Sequence, residues 1–344
     1  MLGILKRIQR NYIIFLLPII YSLVIVCYPY PKEFDINWRY VEFYNYVGKQ
    51  TVNLENVSVI LQQSPDFIFQ ILIILFAKLN IPIKVLFFII TWVTVFNFLF
   101  VYKYYSKKFD VKAPIKSYII VFCTISVAAV FSGVRNIHAL SFIAISMLLY
   151  REKKFSLMLL SFLYAVGTHF SISVYGLIFL LINLFRLKTS FIIVTILSLF
   201  LLVLNVMPIS LYESLLSESL FRKVKFYLMG EDIYLSYFKN FQWNSIFFIF
   251  IINYSLLMNF LLFFYKDVRD NDKLNKELAL AFLACVLFLF YPNIYGRYYM
   301  LLVIYITYYV LLFIKQSIFL ELYKMQVFFV YVVMLYVFFK PVFY

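Results

Sequence analysis

The chain has 344 residues, of which 65% are hydrophobic, 22% aromatic and only 14% charged. Soluble domains run nearer to about 45–50% apolar and about 25% charged, so this composition excludes a soluble enzyme, a secreted disulfide scaffold and a disordered chain. A formal net charge of +15 on so apolar a chain calls for an explanation, and the placement of its lysines and arginines supplies one.

Apolar runs of up to about 20 residues, bounded by charges and turn residues, mark transmembrane helices. In chain order they are predicted at 12–30, 84–102, 115–131, 137–150, 156–169, 170–185, 190–207, 244–265, 278–294, 298–314 and 325–339. The fold class is therefore all-α: a polytopic integral membrane protein of about eleven transmembrane helices, forming one domain over 1–344. The first run follows Lys6, Arg7 and Arg10 and has no small-residue cleavage pattern, so it reads as a helix rather than a signal peptide. One further run, Phe67–Leu79, has only thirteen residues and follows the helix-start signal Ser64-Pro65-Asp66. It reads as a short re-entrant or interfacial helix, which is tolerated where protein buries it or where it lines a wet cavity.

With the N-terminus inside and 67–79 not crossing, 19 of the 31 lysines and arginines fall in inner loops. The seven acids there leave +12 inside, against +3 outside. Most of the net charge is thus an orientation signal of the positive-inside kind, not a nucleic-acid footprint. Two polar segments, 31–66 and 208–243, emerge on the outer side and are long enough to suggest short helices with a binding role, capping an outer cavity. The first carries Asp35 and Arg39, the second Arg222, Glu231 and Asp232.

Cys27, Cys123 and Cys285 lie singly in apolar runs, and the chain has only two histidines, so no zinc or haem site and no cofactor is expected. No Walker loop, GxGxxG or HExxH is present. The informative positions are charges placed where charge is expensive. Arg135 and His138 lie at i and i+3 at the outer boundary between two apolar runs; His169 and Arg297 sit at two other outer boundaries. An arginine so placed can also snorkel to headgroups, and a structural role is the simpler reading of His138. Tyrosines at helix ends read chiefly as an interfacial belt; Tyr40, Tyr44, Tyr46, Tyr295 and Tyr298 could instead platform sugar rings.

The block Arg135-Asn136-Ile137-His138-Ala139, then basic Arg151-Glu152-Lys153-Lys154, then Ala165 through Thr168-His169-Phe170-Ser171 resembles the central signature of EpsG-like proteins, within the wider Wzy class of bacterial polysaccharide polymerases. Ser64-Pro65-Asp66-Phe67 is similar to that family's E-P-G-F element, with Asp66 where glycine is usual, and Asp35–Tyr46 is similar to its G-x-D-x-x-x-Y loop without the glycine. The resemblance implies a GT-C-like membrane glycosyltransferase in the bacterial inner membrane, with its active site facing the periplasm or outside. It implies a polymerase joining undecaprenyl-pyrophosphate-linked oligosaccharide repeat units into O-antigen, capsule or exopolysaccharide. The partners would be that lipid-linked oligosaccharide, membrane lipid and a chain-length regulator protein, with no nucleic acid. An O-antigen ligase using the same donor, or a flippase, is the alternative.

The residues suit that chemistry. A departing pyrophosphate develops negative charge, which guanidinium forks stabilise by charge-assisted bonds, so Arg135 and Arg297 are the expected pyrophosphate ligands. His169 is the expected base for the acceptor hydroxyl, with Asp35, Glu231 and Asp232 as acidic rivals. Arg39, His138 and Arg222, with those acids, are expected to bind substrate.

Overall fold

The computed structural model describes residues 2–27, 40–49, 66–206, 274–288 and 292–314, with 321, 323–325, 327–328 and 331–332; of 2–11, 49, 127–132, 202–206, 275 and 292–297 it describes the backbone alone. The described residues contain helices and no strand. In order these are α1 (Leu2–Cys27), α2 (Glu42–Lys49), α3 (Phe67–Lys78), α4 (Ile83–Lys108), α5 (Ile115–Ser132), α6 (Val134–Arg151) and α7 (Phe155–Thr168). A 3-10 turn at Phe170–Ile172 follows, then α8 (Ser173–Leu184), α9 (Leu187–Val206), α10 (Asn275–Leu287) and α11 (Pro292–Phe313). The predicted span 244–265 and the outer segment 208–243 lie outside the described residues, as do 31–39 and 50–65 of the other segment.

Most predicted spans coincide with a helix, and the boundaries shift where local chemistry overrides hydropathy. α4 runs on through Lys103, Lys107 and Lys108, cations that suit a helix C-terminus. α6 begins at Val134 rather than at 137, which moves Arg135 from a linker into the first helical turn. The span predicted at 278–294 stops at Leu287, and a new helix starts at Pro292. Among the described residues α4 alone is long and apolar enough to cross a membrane by length and composition; shorter apolar helices accompany it.

The chain forms two compact units, Met1–Gly176 with Thr307–Tyr344, and Leu177–Ile306. In the first, punctuation is legible residue by residue. Pro82 and Pro114 occupy the N-caps of α4 and α5. Gly133, at φ 76 and ψ 150, is the single residue between α5 and α6, in a region that side chains strongly disfavour. Asn80, Asp110 and Lys153 take φ of 54, 53 and 59 and end α3, α4 and α6 alike. Each is followed by an amide that donates back into the last turn: Ile81 N–H to Phe76 O, Val111 N–H to Ser106 O and Lys154 N–H to Leu149 O, all at 2.9 Å. These are Schellman closures, satisfying carbonyls that a helix end otherwise leaves orphaned.

α4 is the spine of this unit. Thr94 meets His138 Nδ1 at 2.8 Å, Asn97 Nδ2 donates to Ser141 Oγ at 3.1 Å, and Lys108 pairs with Glu152 at 2.7 Å. All three pairs are separated by 44 residues, so α4 and α6 run parallel in constant register while α5 returns the chain between them. Tyr102 and Tyr105 of α4 are fully buried, Tyr308 donates to Phe98 O at 2.7 Å, and the Arg151 guanidinium lies 5.6 Å over Tyr105. These tyrosines belong to the core rather than to an interfacial belt: their rings meet partners inside it, Tyr102 against Tyr118 and Tyr308 and Tyr105 beneath Arg151.

The distribution of polarity marks a membrane protein. Thr91, Thr94, Asn97, Thr124, Ser126, Asn136, His138, Ser141 and Ser146 are buried, whereas Leu157, Leu159, Leu160 and Leu163 of α7 are exposed, as are Phe15, Leu16, Ile19 and Ile20 of α1. A water-soluble bundle has the opposite pattern. Helices in lipid associate through packing, small residues and polar contacts instead of hydrophobic burial. Several of the buried hydroxyls donate to the carbonyl four residues earlier, as Thr94 does to Ile90 O and Ser146 to Phe142 O.

In the second unit α9 packs on α10, with Phe191 stacked on Phe282 at 6.2 Å. Lys276 at the start of α10 donates to Asn183 Oδ1 at 2.9 Å.

Candidate functional site

Two side chains and a backbone amide from distant parts of the first unit converge on one carboxylate. Asp66 precedes α3 and occupies its N-cap position, yet makes no side-chain cap hydrogen bond. Its carboxylate turns away from its own helix. Oδ2 lies 2.6 Å from Arg135 Nη1, in the first turn of α6. Oδ1 accepts from the Phe170 backbone N–H at 2.7 Å and lies 3.5 Å from His169 Nδ1, at the limit of hydrogen-bonding reach. The expected helix start at Ser64-Pro65-Asp66 is thus correct in position, but Asp66 serves Arg135 and His169 rather than the helix.

Local sequence explains each contribution. Gly133 turns the chain so sharply that Arg135 emerges at the second residue of α6. α7 ends at Thr168, and His169 takes an extended conformation (φ −150, ψ 104) while its N–H still donates to Ala165 O at 2.9 Å. The helix is closed, and the following 3-10 turn presents the Phe170 N–H to Asp66. Gly167 lets α3 come close: a Cβ there would lie 2.6 Å from Ile68 Cδ1 and 2.8 Å from Phe67 Cζ.

α3 is seated by aromatic packing as well. Phe69 and Ile73 are buried against Ile83, Leu86, Phe87 and Ile90 of α4. Tyr40 stands edge-on to Phe69 at 4.9 Å and to Phe87 at 6.3 Å, and the Arg135 guanidinium lies 5.9 Å over the Tyr40 ring. Such aromatic pairs add about 0.5–1.5 kcal/mol each. Tyr44 donates to Ile81 O at 2.8 Å, beside the closure of α3.

The cluster is largely enclosed, with side-chain exposures of 11% for Asp66, 18% for Arg135 and 7% for His169. Burial alone would raise the Asp66 carboxyl. The His169 ring, the Arg135 guanidinium and the Phe170 N–H more than offset that and hold it down to about 2, so it stays ionised at neutral pH. A carboxylate at Nδ1 favours the tautomer that carries its proton there, turning Nε2 into the acceptor. The same carboxylate fixes the direction of the guanidinium fork through one of its nitrogens, and a guanidinium has five N–H donors in all.

His138 lies elsewhere. It is 2% exposed, and its contacts join α4, α6 and α7. Thr94 Oγ1 donates to Ile90 O and so accepts from His138 Nδ1–H; Nε2 then accepts from Tyr164 OH at 3.1 Å. With both nitrogens engaged in this way, His138 is a joint between helices. Tyr298, one of the possible sugar platforms, is buried and stacked on Phe288 at 4.9 Å, whereas Tyr46 is exposed. Arg297 is on α11 of the second unit, with only its backbone described. Asp35, Arg39, Arg222, Glu231 and Asp232 lie outside the described residues.

Sequence reasoning brought Arg135 and His169 to one face but passed over Asp66 as a site residue. The signal available was charge balance: a guanidinium set among apolar helices needs an anion, and Asp66 directly adjoins the short apolar helix. As to metals, Asp66 shares its carboxylate with a guanidinium, and among the described residues no group of three or more His, Cys, Asp or Glu could hold an ion.

No curated protein and no solved structure matches the chain at a significant level. Residues 12–344, nearly the whole length, match the EpsG family, and the chain belongs to that family.

Proposed function

We propose that the chain is a membrane glycosyltransferase that joins undecaprenyl-pyrophosphate-linked oligosaccharide repeat units into a surface polysaccharide. The observation that carries this reading, beside the family, is the Asp66–Arg135–His169 cluster: a guanidinium and an imidazole oriented by one buried carboxylate. Family membership supports a polysaccharide-polymerase role. The setting proposed is the bacterial inner membrane, with about eleven spans in a GT-C-like arrangement and the cluster opening to the outer face.

The reaction needs a leaving group stabilised and a hydroxyl proton removed. The bond between the donor sugar's anomeric carbon and the pyrophosphate oxygen breaks, and the acceptor hydroxyl oxygen bonds to that carbon. His169 Nε2 takes the hydroxyl proton, and the imidazolium so formed faces Asp66. Arg135 offers its remaining N–H donors to the pyrophosphate, where donors in a water-poor site are worth several-fold more than in water. The lipid pyrophosphate is already an activated donor, so no nucleotide enters.

Reconstitution into proteoliposomes with purified lipid-linked repeat units tests the reading. The wild-type chain should yield a ladder of lengths. Arg135→Ala and His169→Gln should each leave folded protein with turnover lowered by about 10²-fold or more, and product confined to single repeats. A normal ladder from both variants would overturn the assignment.

A further inference from the structure

We propose that Asp66 is the positioning residue of this site, setting the tautomer of His169 and the orientation of Arg135 without itself touching substrate. This rests on the polymerase reading for its kinetic consequence, though the geometry stands apart from it. The carboxylate divides its oxygens. Oδ2 takes Arg135, while Oδ1 takes the Phe170 N–H at 2.7 Å and faces His169 Nδ1 at 3.5 Å. The Phe170 N–H is what makes the arrangement directional, because it pins Oδ1 at the end of α7 and leaves Oδ2 for the guanidinium.

A simple clamp between α3 and α6 would not need this. Buried ion pairs seldom stabilise a fold beyond what apolar packing of the same volume achieves, and α3 already has Phe69 and Ile73 packed against α4. Asp66 also leaves its own helix without a side-chain cap, forgoing the stabilisation that an N-cap aspartate usually contributes. The carboxylate is therefore placed for the two residues it orients. An imidazole used as a base must present an unprotonated nitrogen to the hydroxyl, and an acid on its other nitrogen secures that.

Three measurements on the full-length protein in proteoliposomes test this. First, Asp66→Asn keeps the shape and removes the charge. It should retain wild-type monodispersity and a KM for lipid-linked repeats within about threefold, while kcat falls about 100-fold or more. Second, Asp66→Glu restores the carboxylate and should recover at least about tenfold of that loss. Third, nitrogen-15 spectra of histidine-labelled protein, with His169→Gln identifying the His169 signals, should show its neutral ring protonated on Nδ1 in the wild type. In Asp66→Asn that preference should be lost. A merely structural Asp66 would leave the tautomer unchanged, and that result, or an Asn variant with kcat within threefold of wild type, overturns the proposal. If the wild-type chain makes no polymer, the polymerase reading fails while the spectra still decide the positioning role: a tautomer that depends on Asp66 sustains it, and one that does not sinks it.

Discussion

At the scale of the residue, Asp66 shows how one acid changes the meaning of its neighbours. Held down to about 2 against an ordinary 3.8, it is ionised throughout the physiological range, so no activity limb between about pH 5 and 8 originates from it. Its carboxyl binds a proton less readily in the folded chain than in the unfolded one. Its contribution to stability is therefore fully present above 3.8 and is lost as pH falls through 2. The shift corresponds to an order of 2 kcal/mol. Thermal unfolding midpoints in detergent should thus separate wild type from Asp66→Asn at pH 6, and the gap should narrow steadily between pH 4 and 2. A gap independent of pH would mean that the acid is not held in its charged form. Arg135 and His169 were legible in the sequence because hydropathy set them at the ends of apolar runs and the lysine count set those ends on one side. Asp66 was not, because its partners lie beyond α4 and α5, and no local pattern distinguishes a helix-starting aspartate from one that reaches across the bundle.

At the scale of the element, the site depends on how closely α3 approaches the end of α7. Gly167 is the residue that allows it: the Cβ of an alanine would lie 2.6 and 2.8 Å from Ile68 Cδ1 and Cγ1, distances at which something must move. Ile68 is two residues from Asp66 and Gly167 two from His169, so relief of the clash displaces the very segments that meet in the cluster. Gly167→Ala should destabilise by about 1–3 kcal/mol through overpacking and lower turnover by more than its loss of folded protein explains. Ile68→Ala removes these two carbons and leaves Phe67 Cζ, at 2.8 Å, as the remaining close contact, so the double variant should regain part of the activity that Gly167→Ala loses. Additive losses would show that the contact does not control the site. The α4–α6 register was hidden from sequence reading for a related reason. Thr94, Asn97 and Ser141 look unexceptional in apolar runs, and only the pairing at a constant 44-residue offset reveals them as polar joints between parallel helices.

At the scale of the whole molecule, the first unit separates its charges by a distance that suits a bilayer. α6 has 18 residues, a rise of about 27 Å, against a hydrocarbon core of about 30 Å. Arg135 and the carboxylate cluster stand at one end of it; Arg151, Glu152 and the paired Lys108 stand at the other. α3 begins at the cluster end and, through Leu79 to Pro82, passes directly into α4, whose far end carries the lysines. A chain oriented by those lysines is expected to hold Leu79 outside and Lys154 inside, with α3 turning back instead of crossing. Single cysteines at these two exposed positions, in a background with Cys27, Cys123 and Cys285 replaced, measure this directly. A membrane-impermeant thiol reagent applied to intact spheroplasts should label Leu79→Cys at once and Lys154→Cys only after permeabilisation. Labelling of Lys154→Cys in intact spheroplasts would invert the orientation. It would place the Asp66–Arg135–His169 cluster on the cytoplasmic face, where a polymer destined for the cell surface cannot be assembled from units already carried across.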